Sequence, residues 1–83
     1  MTAPDWLSAR DGGLANGIND RTVLVTVTGH PMWRLDALPS RGKFTCAVLQ
    51  TNSGRRLDEG KQYPTQEAAL AGGLEELRAK LGW

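Results

Sequence analysis

Few residues in this chain have the types and spacing that chemistry requires. Cys46 is the only cysteine and His30 the only histidine. They are the one nucleophile–base pairing on offer, and a thiol needs such a base, or a lowered pKa, to act. Cys46 alternates with Phe44 and Val48, where a thiol ordinarily serves as an inert small hydrophobe. His30 lies between Gly29 and Pro31, in a segment that reads as a turn. A zinc site draws four ligands from Cys, His and carboxylates, which these two residues do not supply. Carboxylates are paired only as sequence neighbours, Asp58-Glu59 and Glu75-Glu76, and these read as solvated surface. Gly12-Gly13 and Gly72-Gly73 match neither a Walker loop nor a dinucleotide fingerprint. The expectation is a protein that is not an enzyme and uses no metal or cofactor.

Basic residues suggest a different chemistry. Residues 41–61 hold Arg41, Lys43, Arg55, Arg56 and Lys61 against Asp58 and Glu59, five charges against two. Residues 1–20 hold Asp5, Asp11 and Asp20 against Arg10. The central excess could meet a polyanion, with Trp33, Phe44 and Tyr63 as stacking platforms. A formal net charge of +1 falls short of the usual basic footprint, however, and the aromatics are wanted in the core. Nucleic-acid binding through the five basic residues is therefore the alternative reading.

The elements that position these residues follow from hydrophobic period. At 83 residues, 40% hydrophobic and 23% charged, the chain is one globular domain near the lower size limit for a single core. Thr22 to Thr28 is β-branched but for Leu24, with Val23, Val25 and Val27 on one face. Gly29-His30-Pro31 then turns the chain. Met32 to Leu38 reads as a second strand, with Trp33, Leu35 and Ala37 opposite Arg34 and Asp36. Pro39-Ser40-Arg41-Gly42 is the next turn, and Lys43 to Thr51 the third strand. Its Phe44, Cys46 and Val48 alternate with Thr45, Ala47 and Leu49, so both of its faces are expected to be partly covered. Beyond Asn52-Ser53-Gly54, Arg55 to Glu59 forms a short fourth strand or extended edge. The triplets Arg34-Leu35-Asp36 and Arg56-Leu57-Asp58 read as two strands that each turn a leucine inward between charged neighbours.

The closing helix carries the strongest local signals. Thr65 is a good N-cap, and Pro64 holds Tyr63 extended. Leu70, Leu74, Leu77 and Leu81 form one apolar stripe. Gly82 and Trp83 suit a left-handed stop with a hydrophobic residue folding back on the last turn. Gly72-Gly73 inside the helix costs about 1 kcal/mol per residue relative to alanine, which close approach to the sheet or to another chain would justify.

Lys43 to Trp83, with Cys46-Ala47-Val48-Leu49-Gln50-Thr51, Gly54-Arg55-Arg56-Leu57-Asp58, Ala69-Leu70-Ala71-Gly72-Gly73-Leu74-Glu75 and Leu81-Gly82-Trp83, resembles a small bacterial protein family with no assigned activity. Trp6-Leu7 and Arg10-Asp11-Gly12 are similar to its N-terminal part. That resemblance implies a stand-alone small domain and transfers no functional residue. Trp33-Arg34-Leu35 in a strand and Tyr63 before the helix are also loosely similar, in topology, to YegP-type small bacterial domains. The double-stranded-RNA-binding fold likewise ends in strands and a helix, but its basic helix-start motif has no counterpart here.

These readings converge on an α+β domain over residues 22–83, an antiparallel meander of three or four strands with the C-terminal helix across one face. Residues 1–21 are expected as an N-terminal arm, partly ordered or flexible. Within it, residues 4–10 either form one or two helical turns or belong to an arm docked through Trp6. The core should hold Val23, Val25, Val27, Trp33, Leu35, Phe44, Cys46, Val48, Leu70, Leu74 and Leu77. No signal peptide or membrane span is visible, which suggests a cytoplasmic protein. The expected function is an interaction module for a protein partner or for itself as a homodimer. Its candidate residues are Gly72, Gly73 and Trp6, with Arg41, Lys43, Arg55 and Arg56 for the alternative.

Overall fold

The computed structural model describes residues 2–17 and 19–83. In chain order the elements are α1 (Asp5–Ser8), β1 (Gly12–Asn16), β2 (Thr22–Val27), β3 (His30–Ser40), β4 (Lys43–Gln50), β5 (Gln62–Tyr63) and α2 (Gln66–Leu81). The strands form one antiparallel meander in the order β1-β2-β3-β4-β5, so β3 is central. Helix α2 packs on one face. The expected α+β class is the architecture, with five strands in place of three or four.

Val23, Val25, Trp33, Leu35, Ala37, Cys46 and Val48 line the covered face and meet Ala69, Leu70, Leu74 and Leu77 of α2. Val27 and Phe44, expected inside, lie partly buried at the margin. Leu7 was not expected in the core, and it is 0% exposed.

Residues 1–21 are a part of the domain rather than an arm, although positions 1 and 18 lie outside the described residues. Strand β1 pairs with β2 along its whole length, Leu14 opposite Val25 and Ala15 opposite Leu24. Its sequence, Gly-Gly-Leu-Ala-Asn, has no β-branched or aromatic residue, so pairing and not propensity makes it a strand. The glycines also admit α1: a Cβ on Gly12 would overlap the Leu7 side chain. Trp6 does dock as expected, against the core.

Two corrections concern the turns. The hairpins close through Thr28-Gly29 (φ 51° and 81°) and Arg41-Gly42 (φ 51° and 79°), both residues left-handed in each. Two-residue turns of that hand match strand twist, so β3 runs from His30 through Pro39 instead of ending before it. Proline is poorly suited to a central strand because it donates nothing to the ladder. Both prolines sit where that matters least. Pro31 lies at a shift in register between Val25 and Thr26. Ala37 donates to the Arg21 carbonyl (2.9 Å), and Pro39, two residues on, faces the same side beyond the start of β2.

Of the two forms expected for residues 55–59, a short strand or an extended edge, the chain takes the second, with a single bridge from Leu49 to Arg56. Gln50 donates to the Arg55 carbonyl (2.9 Å) and Leu57 to the Val48 carbonyl (2.8 Å). The ladder resumes at β5. Helix α2 starts and stops as its sequence predicts. Thr65 Oγ1 accepts from the Ala68 N–H (3.0 Å), and Gly82 (φ 72°) ends the helix with Trp83 N–H donating to the Arg78 carbonyl (3.1 Å). Among the described residues no helix is long and apolar enough to cross a membrane.

Candidate functional site

Helix α2 covers one face of the sheet. Among the described residues the other face carries no helix and is largely exposed, although Ala47 in its middle is buried beneath its neighbours (5% exposed). Strand alternation assigns its residues. On β3 these are Arg34, Asp36 and Leu38, interleaved with the buried Trp33, Leu35 and Ala37. Met32, also exposed, is the residue without a β2 partner at the register shift between Trp33 and Pro31. Register extends them sideways into two rows. One runs Leu24, Arg34, Leu49, Arg56 and the other Thr22, Asp36, Ala47. Among the described residues, Met32 and Leu38 are the exposed large hydrophobic residues, at 37% and 42%.

The two Arg-Leu-Asp triplets build the charged part of this face. Leu35 and Leu57 turn inward to the core, as the pattern predicts. Each arginine then folds onto the aspartate two residues on. Arg34 Nε meets Asp36 Oδ2 at 2.8 Å, and Asp36 Oδ1 accepts from Thr22 Oγ1 at 2.6 Å. Arg56 holds Asp58 in a fork, Nε to Oδ1 at 3.0 Å and Nη2 to Oδ2 at 2.8 Å. Both guanidinium groups remain about half exposed.

Asp58 also has a folding role. Its carboxylate accepts from the Val48 N–H (3.1 Å), taking the place of a strand partner where the edge of β4 loses its neighbour. The hydrogen bond from Arg56 holds its carboxyl below the usual carboxylate range, against the opposing effect of burial. A depressed pKa means that the stabilisation is present above the unfolded pKa and is lost as pH falls through the folded one. Asp58→Asn should therefore destabilise by about 1–3 kcal/mol at neutral pH, the range for a disrupted buried charge-assisted hydrogen bond. In urea melts the difference between the two proteins should begin to shrink only below about pH 3.9, the unfolded carboxylate value, and should close as pH falls on through the depressed pKa of folded Asp58.

The glycine pair of α2 faces inward. A Cβ on Gly73 would overlap Cys46 Sγ and lie 2.8 Å from its Cβ, and a Cβ on Gly72 would overlap the Tyr63 ring. The close approach expected of these residues is thus made to the chain's own sheet. Glu76, one turn on, is buried and accepts from the Glu59 N–H (3.2 Å), with the Tyr63 hydroxyl at 3.5 Å. Burial, with Glu76 nearby, pushes the Tyr63 hydroxyl pKa up.

Trp6 lies in an aromatic cluster that closes one end of the core. Its ring centroid is 6.3 Å from Trp83, which meets Trp33 edge-on at 5.7 Å. Arg10 lies 4.6 Å over Trp83 and Arg78 5.6 Å over Trp6. These contacts account for all three tryptophans.

The remaining candidates are dispersed. Arg41 and Lys43 stand at the β3–β4 turn, whereas Arg55 and Arg56 follow the far end of β4. Arg56 is engaged by Asp58, and Lys61 lies 3.8 Å from Glu59. Phe44 and Tyr63 pack on the core, as do the tryptophans. Among the described residues no aromatic side chain falls on the open face to stack a base. Cys46 is buried, and burial, with Glu76, Asp58 and Asp36 nearby, pushes its thiol up to about 12. His30 sits at the far end of β3, seven positions from Ala37, the partner of Cys46 (37 − 30), or roughly 23 Å at ~3.3 Å per residue. The sulfur is thus a protonated core atom beyond reach of that imidazole. Among the described residues no three His, Cys, Asp or Glu side chains gather as metal ligands.

The sequence places Arg34 and Asp36, and with them Leu49, on the strand faces opposite the core, but it does not single out Met32, Leu38 or Leu24. The available signal was the alternation on β3, read across the prolines. No family model, curated protein or solved structure matches this chain, and so none bears on its likeness to YegP-type domains.

Proposed function

We propose that this protein is a non-enzymatic interaction module that binds protein through the open face of its sheet. One observation carries the reading. A five-stranded sheet is covered on one side only, and its uncovered side combines exposed Met32 and Leu38 with Leu24, Leu49 and two half-exposed arginines. Mixed apolar and arginine surface is typical of protein-binding patches, where large side chains and arginine supply most of the affinity. The glycine pair and Trp6 support this function indirectly, by fixing the helix and the N-terminal segment behind the sheet. A lone buried thiol suits a reducing compartment, and we place the protein in the cytoplasm on that basis.

Comparative capture from the protein's own cells tests the reading. Proteins that co-purify with the parent, further copies of the chain included, should be lost from a Met32→Lys/Leu38→Lys variant. They should be retained by Glu75→Lys, on the exposed side of α2. Equal retention by all three would reject the open face as the contact surface.

A further inference from the structure

We infer that the occupant of the open face is a second copy of this chain, docked face to face about a two-fold axis that crosses β3 at Leu35. This inference rests on the interaction-module reading above. Its basis is the order of residues along the central strand. Outward from Leu35, the open-face neighbours are Arg34 on one side and Asp36 on the other, opposite in charge. The next are Met32 and Leu38, both apolar and both exposed. A two-fold axis in the plane of the sheet, perpendicular to the strands, exchanges the two sides of this series. Arg34 of one copy then lies over Asp36 of the other, and Met32 over Leu38.

On the flanking strands the operation sets Leu24 over Thr22 and Leu49 over the buried Ala47 of the second copy, so the charge match is carried by β3. A two-fold axis parallel to the strands would instead place arginine over arginine, which charge repulsion disfavours. The chosen operation keeps the strand directions of the two sheets aligned, the usual arrangement of packed sheets about 10 Å apart. Arginine side chains span that gap. The α2 helices end on the two outer surfaces.

Size sets the strength. Three strands ~4.8 Å apart run the roughly 20 Å from Met32 to Leu38, with β1 and β5 flanking only part of it, which gives a flat area of about 300–400 Å². A standard interface buries about 800 Å² of accessible surface per partner, so this dimer is a weak, concentration-dependent one. The ion pairs set register more than affinity, because each arginine already has an intramolecular aspartate.

Sedimentation equilibrium of the purified chain from micromolar to millimolar concentration tests the inference, with circular dichroism to confirm each variant is folded. The parent should shift from monomer to dimer. Arg34→Glu and Asp36→Lys should each weaken the dimer by about tenfold or abolish it, since each sets like charges face to face. An equimolar mixture of the two should recover it, because the new glutamate then faces the new lysine. Met32→Glu and Leu38→Lys, at exposed positions that folding does not depend on, form a second reciprocal pair with the same expected recovery. A parent that stays monomeric, a dimer indifferent to these changes, or mixtures that fail to recover would each overturn the inference. A monomeric parent whose Met32→Lys/Leu38→Lys variant still loses a captured foreign protein would reject the second copy alone and leave the open face as the binding surface. No effect of that variant on capture would reject both.

Discussion

Trp33→Ala should lower stability by about 3–5 kcal/mol, the range for truncating a buried tryptophan. The residue is buried at the end of the core, and its ring is where the sheet meets Trp83. Trp83 in turn holds Trp6 and carries Arg10 over its face, so the N-terminal segment and the end of α2 share one anchor. At ~0.05–0.15 kcal/mol per residue, a domain of this length has roughly 4–12 kcal/mol in total, so such a loss takes from about a quarter of it to all of it. Urea denaturation should show a large fall in midpoint. A change below about 1 kcal/mol would mean that the cluster merely decorates the core.

Gly73→Val should cost about 3 kcal/mol. Overpacking a tight core costs ~1–3 kcal/mol or more, and three added carbons at a point where even a Cβ overlaps Cys46 belong at the upper end. Better helix propensity returns only a few tenths of a kcal/mol. The position is identified by its rescue. Cys46→Ala removes the overlapping sulfur, so in the double variant the two changes should couple favourably by about 1 kcal/mol or more, readable by urea melts in a double-mutant cycle. Gly72→Ala should cost less, because its obstacle is the half-buried Tyr63 ring on a two-residue strand, which can swing outward. Strict additivity of Gly73→Val and Cys46→Ala would contradict the close approach.

The elements legible in the sequence are those whose signals are local. Thr65, the leucine stripe and Gly82-Trp83 specify α2 from start to stop, and the alternating valines specify β2. Strand β1 is not legible, because glycine, alanine and asparagine have little strand preference and its conformation comes from pairing with β2. The turns misled because Pro31 and Pro39 are strong breakers in isolation. Only the register shift beside Pro31 and the overhang at Pro39 make them tolerable.

That error hid the candidate site. With β3 ended at Leu38 and begun at Met32, those two residues read as strand ends beside turns. Once the strand runs from His30 to Ser40, they become the outer positions of a symmetric series centred on Leu35. The Arg-Leu-Asp repeat was legible as a strand pattern. Its pairing of guanidinium and carboxylate on the uncovered side was not, since that needs the face on which α2 lies. The glycine pair misdirected in the opposite sense. It marks a close approach, but the approach is made from inside, by Cys46 and Tyr63.

The sheet's open face as the meeting surface of two copies is most directly tested by backbone amide NMR spectra over a concentration series. Resonances of Met32, Arg34, Asp36 and Leu38, with Leu24 and Leu49 beside them, should move or broaden as concentration rises. Those of Glu75, Ala79 and Lys80 on the exposed side of α2 should stay fixed. Spectra unchanged throughout, or changes centred on α2 or on β1 instead of β3, would contradict it.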